Sequence, residues 1–198
     1  MHGTRLTFHT AVFFAFSLIL FCTASSTVEG RNETVKLKAK QATSSITYSL
    51  SHPLHKIEAT SREFYCEAEE NLERKQLERV SFVADVSTFD SGNSNRDSHA
   101  MEVIDALTYP EVRFSSTALT PLGTNSAEVI YNAEGILQFH GVENPVRFRA
   151  SASATDMGWK VKGTAAIRLT DFKVERPTLF AIPVSDSLYF SFQIDFAR

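Results

Sequence analysis

The densest group of chemically versatile side chains in the sequence is Asn95, Arg96, Asp97 and His99. A guanidinium is a natural donor to phosphate oxygens, so Arg96 and His99 are candidate residues for binding the polar head of a ligand. The alternative is structural, because Asn and Asp side chains at the start of a helix accept backbone N–H groups, and Arg96 can pair with a carboxylate. The structural use is favoured here, and the binding role stays open.

Two other positions place histidine where it could contact a ligand. His140 lies in Phe139-His140-Gly141-Val142, where a hairpin turn is expected, so a hydrogen bond to the backbone is the simpler role and ligand contact the alternative. His52 and His55 suggest a metal site, but a spacing of three at a strand end does not put both rings on one face. Capping roles are therefore favoured for this pair.

The sequence contains no motif for catalysis, metal binding or cofactor binding. It has no Gly-x-Ser-x-Gly turn, no Cys-x-x-Cys, no His-Glu-x-x-His and no glycine-rich phosphate loop. The formal net charge of −3 gives no electrostatic reason to bind nucleic acid. Two cysteines cannot supply four ligands to a structural zinc ion. We therefore predict no enzyme activity, no cofactor, no metal and no nucleic-acid partner.

Residues 1–24 have the pattern of a secretory signal peptide. Arg5 is followed by the apolar run 11–21, and small residues suited to cleavage come next. The run is shorter than the roughly 20 residues that span a bilayer as a helix. We expect cleavage near 24–26 and a periplasmic location; an uncleaved N-terminal membrane anchor is the alternative. Cleavage would leave Cys66 alone, either buried and inert or available for a homodimer, and the buried state is favoured.

Residues 25–42 are mostly polar and are predicted to form a leader rather than a packed element. After them, apolar and polar side chains alternate, as in strands with one buried face. In the segment 55–69 the alternation shifts by one residue, and a β-bulge near 61–63 would return its apolar side chains to the same face of the sheet. Eight segments show the pattern: 46–50, 55–69, 80–86, 112–118, 129–137, 146–152, 159–169 and 188–196.

One stretch has helical spacing instead. Ala100, Val103, Ile104 and Leu107 follow a polar turn and predict a short helix between strands three and four, lying over one end of the fold. Eight antiparallel strands with one apolar face must close or stack. A closed barrel of about eight strands is either filled by side chains or holds one small ligand. The predicted class is therefore all-β, an eight-stranded antiparallel β-barrel with one short helix.

Several segments resemble the YceI-like family of exported lipid-binding proteins. The most specific is Asn95-Arg96-Asp97 with His99, followed by Tyr109-Pro110. The resemblance runs in order from about residue 43 to 196, through the segments 87–99, 109–117, 135–142, Pro145-Val146 and 169–177. It implies a lipocalin-like barrel domain over 43–198, and it also fits export to a bacterial periplasm.

The resemblance further implies a non-catalytic protein whose apolar lumen holds a polyisoprenoid, such as an isoprenoid quinone or a polyprenyl phosphate. Its partners would be this lipid and, through transient contact, a membrane or an envelope protein. The head group would lie at a polar mouth near Arg96, His99 and His140. The candidate lumen residues are the large side chains on the inward phase of the strands: Tyr48, Phe64, Phe82, Phe114, Tyr131, Phe148, Trp159, Phe190 and Phe192.

Two other functions compete with the lipid carrier. Small residues share the inward phase with the aromatic ones, so the same composition also fits a solid core of interdigitating side chains. Such a barrel would be a structural or interaction module of the cell envelope. An enzyme acting on a bound lipid is disfavoured, because the alternation places no ionisable side chain firmly in the interior.

Overall fold

The structure is a computed structural model that describes residues 33–125, 128–179 and 182–198. The predicted signal peptide lies outside these residues. The described part contains one α-helix, α1 (Ser94–Val103), and twelve β-strands. The strands are β1 (Thr34–Ala39), β2 (Ser45–His52), β3 (His55–Ser61), β4 (Phe64–Asn71), β5 (Gln76–Asp85), β6 (Glu111–Asn125), β7 (Glu128–Phe139), β8 (Val142–Thr155), β9 (Gly158–Arg168), β10 (Thr178–Leu179), β11 (Ile182–Pro183) and β12 (Ser187–Ala197).

Eight of the strands close into an antiparallel barrel. They follow the order β1-β4-β5-β6-β7-β8-β9-β12, and β1 closes the circle by pairing with β12 at Lys38–Ala197 and Ala39–Phe196. Alternation along each strand turns the apolar side chains inward, as in β7, where Tyr131 and Ala133 are buried. The predicted all-β, eight-stranded antiparallel barrel is therefore confirmed.

The remaining long strands, β2 and β3, form a hairpin that extends the sheet from the edge of β12. Residues 40–44 separate β1 from β2, and residues 62–63 separate β3 from β4. The β2–β3 hairpin therefore continues the β1–β4 pair beyond these two interruptions. At the second break, the Ser61 hydroxyl donates to the Glu63 carbonyl, accepts from the Glu63 amide and bonds the Thr88 hydroxyl, so it satisfies backbone groups where the chain leaves the ladder. This break lies where the sequence changes phase and predicts a bulge.

Two parts of the predicted strand count are wrong. Residues 34–39, assigned to an unpacked leader, form β1, and its Leu37 is fully buried between β4 and β12. The segment 55–69, assigned to one strand, forms β3 and β4. The helix accordingly follows β5 rather than a third strand, and of the predicted stripe it contains Ala100 and Val103.

Helix α1 begins at Ser94. The N-cap is Asn93, whose side-chain oxygen accepts a hydrogen bond from the backbone N–H of Arg96 at 3.1 Å. The helix ends at Val103, so Leu107 falls in the following turns and is fully exposed, contrary to the predicted helical stripe. No helix in the described residues is long and apolar enough to cross a membrane.

Candidate functional site

The barrel encloses a cavity of about 1090 Å³, which includes space open to solvent; we call it the lumen cavity. Inward side chains of β2, β4–β9 and β12 build an apolar wall around it. Phe148, Phe190 and Phe192 point inward but are only half-buried, because one side of each ring faces this space. A wall of hydrophobic and aromatic side chains is typical of small-molecule sites, so the lumen cavity is a candidate ligand site.

A second cavity of about 1040 Å³, again including space open to solvent, lies beside α1; we call it the helix-side cavity. Ala100, Val103 and Ile104 of the helix contribute to its wall. Three side chains line both cavities, namely Phe89, Val112 and Phe190. The two spaces therefore adjoin at this end of the barrel, where β5, β7 and β9 end.

The helix-side cavity differs from the lumen cavity in having polar groups on its wall. Arg96, Asp97 and His99 line it, and so does Tyr48. Arg96 donates from Nε to the Ser91 hydroxyl and from Nη2 to the Ser91 carbonyl, both at 2.8 Å. Both carboxylate oxygens of Asp97 lie 3.3 Å from the Ser91 amide that donates to them. Ser91 thus fixes the orientation of both charged side chains.

The charges of this polar group largely cancel. Arg96 and Asp97 are oppositely charged neighbours on one helix, and both act on the Tyr48 hydroxyl. Burial, followed by the Asp97 carboxylate, raises the pKa of Tyr48, whereas Arg96 opposes the shift. The phenol therefore stays neutral at physiological pH and can donate a hydrogen bond. His99 is exposed and lies 3.6 Å from Glu102.

His140 lies away from both cavities. It forms a two-residue hairpin turn with Gly141, and both residues have positive φ, +50° and +71°, as a type I′ turn requires. Its Nδ1 donates to the Phe172 carbonyl at 3.0 Å, and its ring contacts Tyr109. The His140 side chain thus links the hairpin turn to Phe172, in the segment that follows β9.

This geometry can be compared with known proteins. The sequence model of the YceI-like domain matches residues 9–196, nearly the whole chain. The chain belongs to the YceI-like family. The match extends well beyond the segments that carry the resemblance in the sequence.

The curated relatives of this YceI-like chain include UPF0312 proteins of Pseudomonas and Vibrio. A protein of Pseudomonas putida (strain GB-1) is 29% identical over 112 residues, which cover 52% of this chain and 56% of the relative. One of Vibrio parahaemolyticus is 31% identical over 104 residues, covering 48% of this chain and 53% of the relative. The chain therefore spans about half the length of the curated relatives it matches.

Two solved structures share the fold at low sequence identity. Burkholderia cenocepacia BcnA has a TM-score of 0.70 and 22% identity, and the alignment covers 81% of this chain and 99% of BcnA. A polyisoprenoid-binding domain from Saccharophagus degradans, implicated in plant cell wall breakdown, has a TM-score of 0.63 and 11% identity. That alignment covers 83% of this chain and 99% of the domain. At these identities the likeness establishes the YceI-like barrel.

Seven of the nine candidate lumen residues of this YceI-like barrel line one or both cavities, and two line neither. Tyr48 lines the helix-side cavity and Phe190 lines both cavities. Phe64 and Trp159 are buried but line neither; Phe64 contacts Phe82 with ring centroids 5.4 Å apart, and Trp159 pairs with Phe196 across β9 and β12. The residues on the wall of the lumen cavity are Phe82, Phe114, Tyr131, Phe148, Phe190 and Phe192.

Sequence reasoning missed Phe89, which lies between β5 and α1 and lines both cavities. Its ring centroid is 5.6 Å from that of Tyr48. It lies outside any alternating segment, so periodicity gives no signal for it. Its place in Ser87-Thr88-Phe89-Asp90, a segment that carries the family resemblance, is the signal that could have identified it.

The free thiol of Cys66 is 2% exposed and borders the lumen cavity. Burial raises its pKa to about 12. At pH 8 only about one thiol in 10,000 is then ionised, and the thiolate is the reactive form. We expect Cys66 to resist a bulky thiol reagent in the folded protein and to react fully in urea, as measured by a colorimetric thiol assay. Rapid labelling of the folded protein would contradict this expectation.

Proposed function

We propose that this protein is an exported, non-catalytic carrier that holds a polyisoprenoid lipid. The tail would occupy the lumen cavity and the head group the helix-side cavity. The observation that carries the proposal is an apolar cavity inside the barrel that adjoins a second cavity with polar groups on its wall. The printed description of the Saccharophagus degradans domain as polyisoprenoid-binding supports the same ligand class.

The hydrophobic effect supplies the driving force. Removing apolar surface from water contributes about 25 cal/mol per Å². A tail burying on the order of 400 Å² gains roughly 10 kcal/mol before the costs of association and ordering, which consume much of it. The wall supplies aromatic and aliphatic contacts along the whole cavity, so the tail contributes most of the affinity and the head group selects among lipids.

The filled-core alternative, a structural or interaction module, predicts a solid interior. The lumen cavity and the inward but half-buried rings of Phe148, Phe190 and Phe192 count against it.

An enzyme acting on a bound lipid is the other alternative. For such catalysis, an ionisable group would have to face the tail. Cys66 is the ionisable thiol on the wall of the lumen cavity, and its pKa of about 12 keeps it protonated.

Electrostatics favour an uncharged head group, such as a quinone, over a polyprenyl phosphate. Arg96 is the cation on the wall of the helix-side cavity, and its charge is offset by the neighbouring Asp97. A phosphate would meet the Asp97 carboxylate at close range, and like charges in a partly buried site repel strongly. Arg96 and the neutral Tyr48 phenol can instead donate hydrogen bonds to a carbonyl oxygen.

Replacing Asp97 with asparagine tests this preference. We expect the wild-type protein to bind a prenyl quinone about tenfold more tightly than a polyprenyl monophosphate of equal tail length, a difference of about 1.4 kcal/mol. Asp97→Asn should remove most of that difference, because it removes the negative charge and keeps an acceptor for the Ser91 amide. Asp105→Asn, an exposed position after α1, is the matched control. Competition binding measures both; an unchanged ratio in Asp97→Asn would count against the assignment.

The lipid itself is tested directly. The full chain is expressed with its own N-terminus in a bacterium that makes isoprenoid quinones, purified without detergent and extracted into organic solvent. Mass spectrometry should then find an isoprenoid lipid at a substantial molar fraction of the protein. Empty extracts, together with no binding of added prenols or prenyl quinones, would refute the proposal.

Export and membrane contact belong to the same proposal. Cleavage after residues 1–24 and recovery in the periplasm are measured by N-terminal sequencing and cell fractionation.

Three exposed apolar side chains could contact a membrane. Leu54, Leu107 and Ile182 all lie at the end of the barrel that bears the helix-side cavity. We expect serine at these three positions to weaken flotation with phosphatidylcholine vesicles. Serine at Leu122 and Met157, exposed at the opposite end, should not. A homodimer would appear as a doubled mass in light scattering.

A further inference from the structure

Three phenylalanine rings make a continuous contact across the lumen cavity. Phe114 of β6, Phe148 of β8 and Phe192 of β12 all line it. The ring centroids of Phe114 and Phe148 are 5.4 Å apart, and those of Phe148 and Phe192 are 5.7 Å apart with the planes nearly perpendicular. We call these three rings the aromatic belt. The three rings project into the lumen from three different strands.

Glycines on the intervening strands let two of the belt rings lie against the wall. Gly163 of β9 is directly paired with Phe192, and an ideal Cβ at Gly163 would overlap Cζ of that ring. An ideal Cβ at Gly135 of β7 would likewise overlap the ring of Phe114, although the cross-strand partner of Gly135 is Ser116. Only a residue without a Cβ permits this close approach, so each ring rests where a neighbouring side chain would otherwise stand.

Gly163 is the more informative of the two glycines. A Cβ at Gly135 would also overlap the backbone oxygen of Ser115, so a substitution there disturbs the sheet itself. At Gly163 the overlap is with the end of the Phe192 side chain, and the nearest backbone atom, the oxygen of Arg149, is 3.0 Å away. A side chain at 163 therefore acts chiefly by displacing one ring.

The displaced ring has one direction available to it. On the other side of β12, Phe192 is paired with Ile46, whose side chain also lines the lumen cavity. With Ile46 on one flank and a new side chain at 163 on the other, the ring of Phe192 must move away from the wall. It then moves further into the lumen beside Phe148 and narrows the opening within the belt.

The belt divides the lumen cavity along the barrel axis. Phe190 precedes Phe192 on β12 and also borders the helix-side cavity, whereas Ile194 and Phe196 follow toward the opposite end. We expect a short tail that starts in the helix-side cavity to need little or none of the space beyond the belt. A long tail must pass through it to reach the space lined by Tyr131, Ala152, Ile194 and Phe196.

We propose that Gly163 sets the bore of the aromatic belt and thereby the length of isoprenoid tail that the protein accepts. This inference rests on the proposed lipid-binding function and names the residue that determines its specificity. The consequence is selective: a larger residue at 163 excludes long tails and leaves the binding of short tails in place.

The test compares two prenyl alcohols with the same head group, the short geranylgeraniol and the long solanesol, in competition binding. We expect the wild type to bind both. Gly163→Leu should lose about tenfold or more in affinity for solanesol, the effect of about 1.4 kcal/mol of lost tail burial, with little change for geranylgeraniol. Thr164→Leu, the adjacent outward-facing and exposed position, is the matched control.

A second substitution distinguishes two causes of lost solanesol binding, a narrowed belt and a damaged fold. Phe192→Ala in the Gly163→Leu background removes the displaced ring and should restore solanesol binding. Gly163→Ala gives a smaller shift in the same direction if the leucine variant does not fold. Equal binding of both alcohols by the folded Gly163 variants, or equal loss of both, would overturn the inference. Failure of the wild type to bind both alcohols, together with empty extracts and no binding of prenyl quinones, would refute the proposed function itself.

Discussion

Tryptophan at Ala165 is expected to abolish the binding of isoprenoid lipids of every tail length. Ala165 is on the wall of the lumen cavity and pairs with Phe190, the ring that borders both cavities. An indole at this position fills the passage from one space to the other. Losing even a third of roughly 10 kcal/mol of gross tail burial lowers affinity by more than about 100-fold. Titration with a fluorescent prenyl analogue measures the loss.

The adjacent residue offers the same substitution on the other face of the strand. Ala166 is exposed and points away from the lumen, so Ala166→Trp adds the same side chain without entering the cavity. It should bind lipid like the wild type. Thermal unfolding of both variants checks that Ala165→Trp is folded, since overpacking costs about 1–3 kcal/mol where space is insufficient. Normal lipid binding by folded Ala165→Trp would show that the tail lies elsewhere.

The barrel was predictable because alternation is a local property of the chain. β7 shows this, since Tyr131 and Ala133 are buried where the pattern puts them. The strand β1 was not predictable, because three lysines surround its short apolar pattern. The burial of Leu37 is created by pairing with β4 and β12, which lie far away in the sequence. Long-range pairing of this kind leaves little trace in a single segment.

The site was predictable only in part, because inward phase does not distinguish a ring on a cavity wall from one inside the packed core. Phe148 and Trp159 share the inward phase, yet Phe148 borders the lumen cavity and Trp159 does not. The difference depends on where neighbouring rings lean. Phe192 leans over Gly163, and that placement follows from cross-strand register rather than from the sequence of either strand.

One ion pair at the barrel closure carries the largest stability prediction. Glu70 of β4 has a side chain that is 3% exposed, and Arg198 binds its carboxylate through Nη2 at 3.0 and 3.1 Å and through Nε at 3.2 Å. The pair joins β4 to the chain after β12, beside the short β1–β12 contact. Removing the arginine leaves a buried carboxylate without its cation, and breaking a buried pair in this way costs about 3–5 kcal/mol.

We expect Arg198→Met to lower the free energy of unfolding by about 2–3 kcal/mol, below that range because the Arg198 side chain is 52% exposed and water can reach the site. Urea denaturation measures the loss. Arg79→Met breaks the contact of Arg79 with Glu69, the residue next to Glu70, at 3.3 Å. Because the Arg79 side chain is 68% exposed, this control should cost less than about 1 kcal/mol.

A double variant identifies the cause of the loss. If the cost of Arg198→Met comes from an unpaired buried charge, Glu70→Gln in the same chain should recover more than half of it, because a neutral amide is far less costly to bury. If the cost comes from lost packing of the arginine stem, the double variant should be no more stable than Arg198→Met. Recovery would therefore establish that the loss comes from the unpaired carboxylate, which requires its cation when it is buried.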